Sequence, residues 1–260
     1  MKDYFFAALM FYTRIPCPPD TPHNSEVLQR ATLFFPLIGW IVGLCAALVL
    51  YLSLQVMGVF PALVLSTAAT VLLTGAFHED GFADACDGFG GGWKRDDILR
   101  IMKDSRIGVY GALGLLLMLL GKLGFLSELV QAPSQQGLFY LCALFVLGHT
   151  LSRYTAVCCI HFGRYAQADG MAKGKAKPMA TQMSREDFYL ASGLAAAPWL
   201  LWLIADFHWA LLLLPGLIAG IAYAALRYTE RWIEGYTGDC LGAVQQIAEV
   251  SIYLLLVICW

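Results

Sequence analysis

The chain has 260 residues, 59% of them hydrophobic and 14% charged, with a mean hydropathy of +0.64. Soluble domains average about 45–50% apolar and about 25% charged residues, so an ordinary water-soluble fold is excluded and a polytopic membrane protein is expected. A net charge of −2 gives no electrostatic handle for nucleic acid, and eight cysteines without a C-x-x-C pair read as small buried side chains rather than zinc ligands or disulfides.

The amino-terminal stretch "MKDYFFAALMFYTRIPCPP" has a short apolar run and no small-residue cleavage site, which argues against a signal peptide. It reads as an interfacial helix, with Lys2 and Arg14 at the headgroups and Phe5, Phe6, Leu9 and Met10 at the acyl boundary. Seven segments then approach the length of about 20 apolar residues that a spanning helix needs: Ala31–Met57, Pro61–Phe77, Gly108–Val130, Gly137–His161, Phe188–Ala205, His208–Tyr228 and Ala243–Trp260. Pro61–Phe77 is short, and the two segments flanking Asp206 are also compatible with a re-entrant hairpin.

Nearly all Lys and Arg lie in Lys2–Arg30, His78–Ile107, Phe162–Asp187 and Thr229–Gly242, and none lies near Gly58 or Asp206. With seven spans, this asymmetry puts the amino terminus and every polar cluster in the cytoplasm and the carboxyl terminus outside. Lys122 and Arg153 stand apart, inside apolar segments. With no linker, low-complexity tract or internal repeat, one all-α membrane domain over residues 1–260 is expected.

The stretch "FHEDGFADACDGFGGG", Phe77–Gly92, concentrates four carboxylates after the second span. As a helix continuing that span, at about 100° per residue, it would gather Asp80, Asp84 and Asp87 within an arc of about 60°, with Glu79 about 100° aside. Like charges at this spacing repel, and a divalent cation removes the repulsion. Mg²⁺ takes carboxylate oxygens and commonly bridges them to substrate phosphates. Gly81, Gly88 and Gly90–Gly92 are read as room for a bulky ligand to approach the backbone. The competing reading is a solvated acidic loop end.

In "WKRDDILRIMKDSRIGVYG", Asp97, Arg100 and Asp104 share a helical face, and Lys103 and Arg106 flank Asp104. Cations beside a metal site suit a diphosphate, whereas Lys94, Arg95 and Arg100 equally fit the juxtamembrane positive-inside pattern. Arg153, with His149 four residues earlier on its face, is expected to face a polar cavity or a buried partner. "TGDCLGAVQQIAEV" puts Asp239 and Glu249 at the mouth of the last span as a second wall of that cavity. Arg14 in "FYTRIP" contacts substrate or lipid headgroups.

"HEDGFADACDGFGGG", "IMKDSRIGVYG" and "TGDCLGA", with "FYTRIPCP" and "FFPLIGWIVG" nearer the start, together resemble the cobalamin synthase family, the adenosylcobinamide-GDP ribazoletransferases, in the family's order over nearly the whole chain. The resemblance implies a multi-pass enzyme of the cytoplasmic (inner) membrane that joins adenosylcobinamide-GDP to α-ribazole or its 5′-phosphate and releases GMP, with Mg²⁺ as cofactor. It carries over the acidic positions Glu79, Asp80, Asp84 and Asp87 as metal ligands, with Asp104, Arg106 and Asp239. Asp104 and Arg106 are the expected catalytic pair, and Lys103, Arg106, Arg153, Asp239 and Arg14 the expected substrate contacts. The segment Phe162–Asp187 matches less distinctly and receives no role. "DACDG", Asp84–Gly88, is also similar to the start of the CDP-alcohol phosphotransferase signature, whose remainder is absent. A membrane prenyltransferase would normally carry a second Asp-rich motif, and a metal-ion transporter would carry its carboxylates near the bilayer midplane.

Overall fold

A computed structural model describes residues 1–22, 24–166 and 181–259. Helix α1 (Lys2–Tyr12) precedes α2 (Ser25–Ala31), which passes through a 3₁₀ turn at Thr32–Phe34 into α3 (Phe35–Leu54). There follow α4 (Val59–Thr74), α5 (Phe77–Gly91), α6 (Arg95–Met102), α7 (Val109–Leu129) and α8 (Leu138–Phe162). Then come α9 (Arg185–Ala205), α10 (Leu214–Ile233) with a 3₁₀ turn at Trp209–Leu213 before it, and α11 (Gly238–Cys259). Among the described residues the fold is all-α, with one isolated bridge between Tyr165 and Tyr236.

Helix α8 is the axis of the bundle. Its apolar stretch is 89% buried, against 22% for α7 and for α9, which therefore present most of their surface outward as lipid-facing helices do. Helix α3 approaches α8 through the G-x-x-x-G spacing of Gly39 and Gly43. A β-carbon on Gly39 would stand 2.5 Å from the His149 carbonyl oxygen, and one on Gly43 2.6 Å from the Val146 Cα. Small residues let helix backbones meet where lipid offers no hydrophobic drive for association.

Six described helical runs are long and apolar enough to cross a membrane, and a seventh exists if α4 and α5 count as one bent span. Two of the six are Arg185–Ala205 and Trp209–Ile233, so both segments flanking Asp206 have the length and composition of full spans. The first run extends over Ser25–Leu54, longer toward the amino terminus than expected. Trp260 lies outside the described residues, as does most of the stretch between Phe162 and Asp187.

Two expectations are corrected. The acidic helix does not continue the second span. That span ends at Thr74, and α5 turns away from α4 by 89°. Gly75 (φ +67°) and Ala76 (φ +59°) take consecutive left-handed conformations there. For Ala76 this costs about 1–2 kcal/mol. The Arg14 guanidinium packs where a Gly75 side chain would stand, and the Arg14 amide donates to the Leu73 carbonyl at 2.7 Å. Nor does α1 present Leu9 to lipid. Ala7, Ala8, Leu9 and Tyr12 are buried against Ala31, Phe35 and Ile38, leaving Met10 and Phe11 outward.

Candidate active site

The site begins where α5 crosses α11. A β-carbon on Gly81 would lie 3.0 Å from the Asp239 Cα and 3.5 Å from the Gly242 Cα, and one on Gly242 would lie 3.1 Å from the His78 carbonyl oxygen. Contact this close brings Asp239 to the acidic stripe of α5. Asp84 is pushed up to about 6, first by its partial burial and then by the charges of Asp239, Asp80 and Asp87. Asp80 is exposed and Asp84 half-buried, and among the described residues no side-chain donor bonds either one. Both therefore keep free oxygens on an open surface.

The glycines of this stretch serve packing, a correction to the reading of ligand access. Gly88 faces Met102 and Ile98, Gly90 lies under the Tyr110 ring, and Gly92 faces Ile98. Helices α6 and α7 thereby close against α5.

Asp87 has other partners than an ion. It is buried, and its Oδ2 accepts the Gly108 amide at 2.7 Å while its Oδ1 accepts the Gly111 amide at 2.8 Å. Gly108 is the N-cap position of α7 and has no side chain to cap with. A carboxylate from α5 supplies the missing acceptor, at the end of the helix where negative charge is favoured.

Two residues ahead of that cap, Arg106 is clamped by Asp104. Its Nη2 donates to Oδ2 at 2.7 Å, its Nε to Oδ1 at 3.0 Å, and its backbone amide to Oδ1 at 3.1 Å. These bonds, the side-chain ones foremost, hold the Asp104 carboxyl down at about 2. The Arg106 side chain is 86% exposed, so the pair is a presented group on the surface. Lys103 lies close enough for its charge to act on Asp239. Arg100 instead pairs with Asp97 at 3.1 Å on an exposed helix face, where such a pair contributes little.

The remaining expected residues belong to a second, interior cluster. Glu79 turns away from the aspartates, and its Oε1 accepts from Gln246 Nε2 at 3.0 Å. The Gln246 oxygen accepts from Lys122 Nζ at 3.2 Å, and Lys122 pairs with Glu249 at 2.9 Å. Glu249 also meets His149 at 3.3 Å and Gln245 at 2.8 Å. It is fully buried, so its expected place at the mouth of the last span is corrected. It stands ten residues beyond Asp239, almost three helical turns inside. Arg153 is buried beside it and donates to the His149 carbonyl at 2.9 Å. All of these except Gln245 line a small polar cavity with His78, Thr70 and Thr74. Arg153 thus faces a polar cavity, as expected, but one apart from the aspartate surface. Sequence reasoning passed over Gln245 and Gln246. Their signal was two consecutive amides inside an apolar span, where a polar side chain needs a partner.

A family model described as Cobalamin-5-phosphate synthase matches residues 4–257. The chain is 43% identical to the adenosylcobinamide-GDP ribazoletransferase of Shewanella amazonensis, over 99% of this chain and 96% of that protein. It is 44% identical to the one from Shewanella piezotolerans, over 98% and 94%. With the one from Leptospira biflexa it shares 38%, over 98% and 95%. No solved structure matches.

Proposed function

Because the chain belongs to the cobalamin-5-phosphate synthase family, we propose that it transfers the adenosylcobinamide-phosphate unit of adenosylcobinamide-GDP to α-ribazole or its 5′-phosphate. GMP leaves, and adenosylcobalamin or its 5′-phosphate forms. One observation carries this reading: Asp80 and Asp84 on α5 meet Asp239 on α11, in a chain whose Asp104 presents Arg106 close by in sequence to the α7 cap.

One or two of Asp80, Asp84 and Asp239, together with substrate phosphates, would hold Mg²⁺. When bound, the ion neutralises charge on the diphosphate and stabilises the leaving phosphate. The donor set fits it. All donors are hard carboxylate oxygens, and among the described residues no three His, Cys, Asp or Glu side chains close on one point by themselves. Mg²⁺ is usually held in this open manner, by one or two carboxylates together with waters and substrate phosphates.

The chain's own cations do the rest. Asp104 occupies the Nε and Nη2 donors of Arg106 and fixes its plane, leaving the outer donors for a phosphate oxygen. Lys103 adds a second positive charge beside Asp239. Attack by the ribazole hydroxyl on the phosphorus nearest the cobinamide breaks the bond to the GMP oxygen. The basic segments around this site, set against opposite loops without Lys or Arg, support a cytoplasm-facing site in the inner membrane.

The test is purified protein with adenosylcobinamide-GDP and α-ribazole, with and without Mg²⁺, products resolved by chromatography. Equal amounts of GMP and adenosylcobalamin are expected, only with the ion present. GMP without adenosylcobalamin would make the protein a hydrolase and overturn the reading.

A further inference from the structure

We infer that Glu79 is a positioning residue that locks the register of the acidic helix α5 against α11, and not a ligand of the ion. The inference rests on the proposed function for what is being positioned, and on geometry for how.

Residues 239, 242 and 246 fall on one stripe of α11, since spacings of three and seven return to nearly the same face of a 3.6-residue helix. This stripe meets α5 at two levels. Gly242 lies under Gly81, whose nearest neighbours include Asp239. One turn deeper, Gln246 Nε2 donates to Glu79 Oε1 at 3.0 Å. The glycine contact is smooth and gives no register of its own. The hydrogen bond is directional, and a slip of one turn would carry Asp239 about 5.4 Å from its place beside Asp80 and Asp84.

The anchor is firm because it does not end at Gln246. Lys122 on α7 holds the other end of the amide at 3.2 Å and pairs with Glu249 at 2.9 Å, and Glu249 meets His149 on α8 at 3.3 Å. Each of these side chains is buried, so each bond resists exchange with water. A lock is needed here because α5 is not held in line by α4: the chain turns 89° at Gly75 and Ala76, immediately before Glu79. The Oε2 of Glu79 is buried, and Glu79 lines the interior cavity together with Arg153, while Asp80, the next residue, is exposed.

The test exchanges the two partners. Glu79→Gln combined with Gln246→Glu preserves the net charge, the bond between the two side chains and an acceptor for Lys122. A register lock is rescued by this exchange, and an ion ligand moved onto another helix is not. The expected result is that Glu79→Ala and Gln246→Leu each lower kcat, and that the exchange restores it without raising the Mg²⁺ concentration for half-maximal activity. A folded exchange variant that stays inactive, or that regains activity only at about tenfold more Mg²⁺, about 1.4 kcal/mol of ion binding, overturns the inference. A second measurement needs no activity. In Mg²⁺-free detergent solution, Glu79→Ala, Gln246→Leu and their combination are melted. A combination no less stable than the weaker single variant shows the coupling, and additive losses refute it. Asp84→Asn in the same assays separates the two readings. If it stays active at low Mg²⁺, the ion site falls, while the melting cycle still decides the lock.

Discussion

Replacing Asp87 by Asn should destabilise the protein in the absence of any metal. Both carboxylate oxygens of Asp87 accept backbone amides of the first turn of α7, at 2.7 Å and 2.8 Å. An asparagine has one acceptor oxygen, so its amide nitrogen must face one of those N–H groups, donor against donor. A lost charge-assisted hydrogen bond costs about 1.5–3 kcal/mol, and the lost charge at the helix N-terminus about 0.3–1 kcal/mol more. The sum is about 2–4 kcal/mol, a fall of roughly 4–16 °C in melting temperature for a chain of this size. The assay is thermal unfolding of the purified protein in detergent with a chelator, followed by tryptophan fluorescence. Asp84→Asn is the control. It removes a carboxylate that its neighbours repel, and should melt with the parent or slightly above it. If Asp87→Asn also melted at or above the parent, Asp87 would be one more repelled carboxylate of the ion site, and its role as the cap of α7 would be refuted. Gly111→Ala offers an independent check, since a β-carbon there would enter the Asp87 carboxylate. It should destabilise the parent by about 1–3 kcal/mol and cost less where Asp87 is already alanine.

Asp84→Asn should abolish turnover while leaving the protein folded, and near-normal activity at low Mg²⁺ would remove it from the ion site. Arg106→Lys should lower kcat/KM for adenosylcobinamide-GDP by more than about tenfold, about 1.4 kcal/mol, because lysine lacks the planar donors that Asp104 aligns. The KM for α-ribazole, which brings no diphosphate, should hardly change. Lys122→Met strands Glu249 in the bundle interior and should cost about 3–5 kcal/mol by chemical denaturation, most of it recovered when Glu249→Leu is added. A reporter that works only in the cytoplasm should be silent at the carboxyl terminus if seven spans are crossed, and its activity there would require an even number.

Composition alone determined that this chain is a helical membrane bundle, because about 20 apolar residues in a row admit one structure once water is gone. The same one-dimensional pattern placed the spans to within a few residues and identified Asp80, Asp84, Asp104, Arg106 and Asp239 as chemically unusual. Periodicity put Asp87 on the face of Asp80 and Asp84, and it does lie there. What periodicity does not carry is the partner across that face. The α7 amides that take Asp87 come from residues 21 and 24 positions later. Glu249 was misplaced for the same reason, and the Gln246 partner of Glu79 was equally out of reach. A carboxylate in sequence looks alike whether it faces solvent or a lysine 127 residues away, as Lys122 is from Glu249. The right-angle break also lay beyond local reading, since alanine at position 76 favours helix yet is left-handed at the junction where Arg14 packs against Gly75. Local free energies decide which segments are helices and which side chains are costly to bury. Only their packing decides which of those costs are met by a partner inside the protein and which are left open for a substrate.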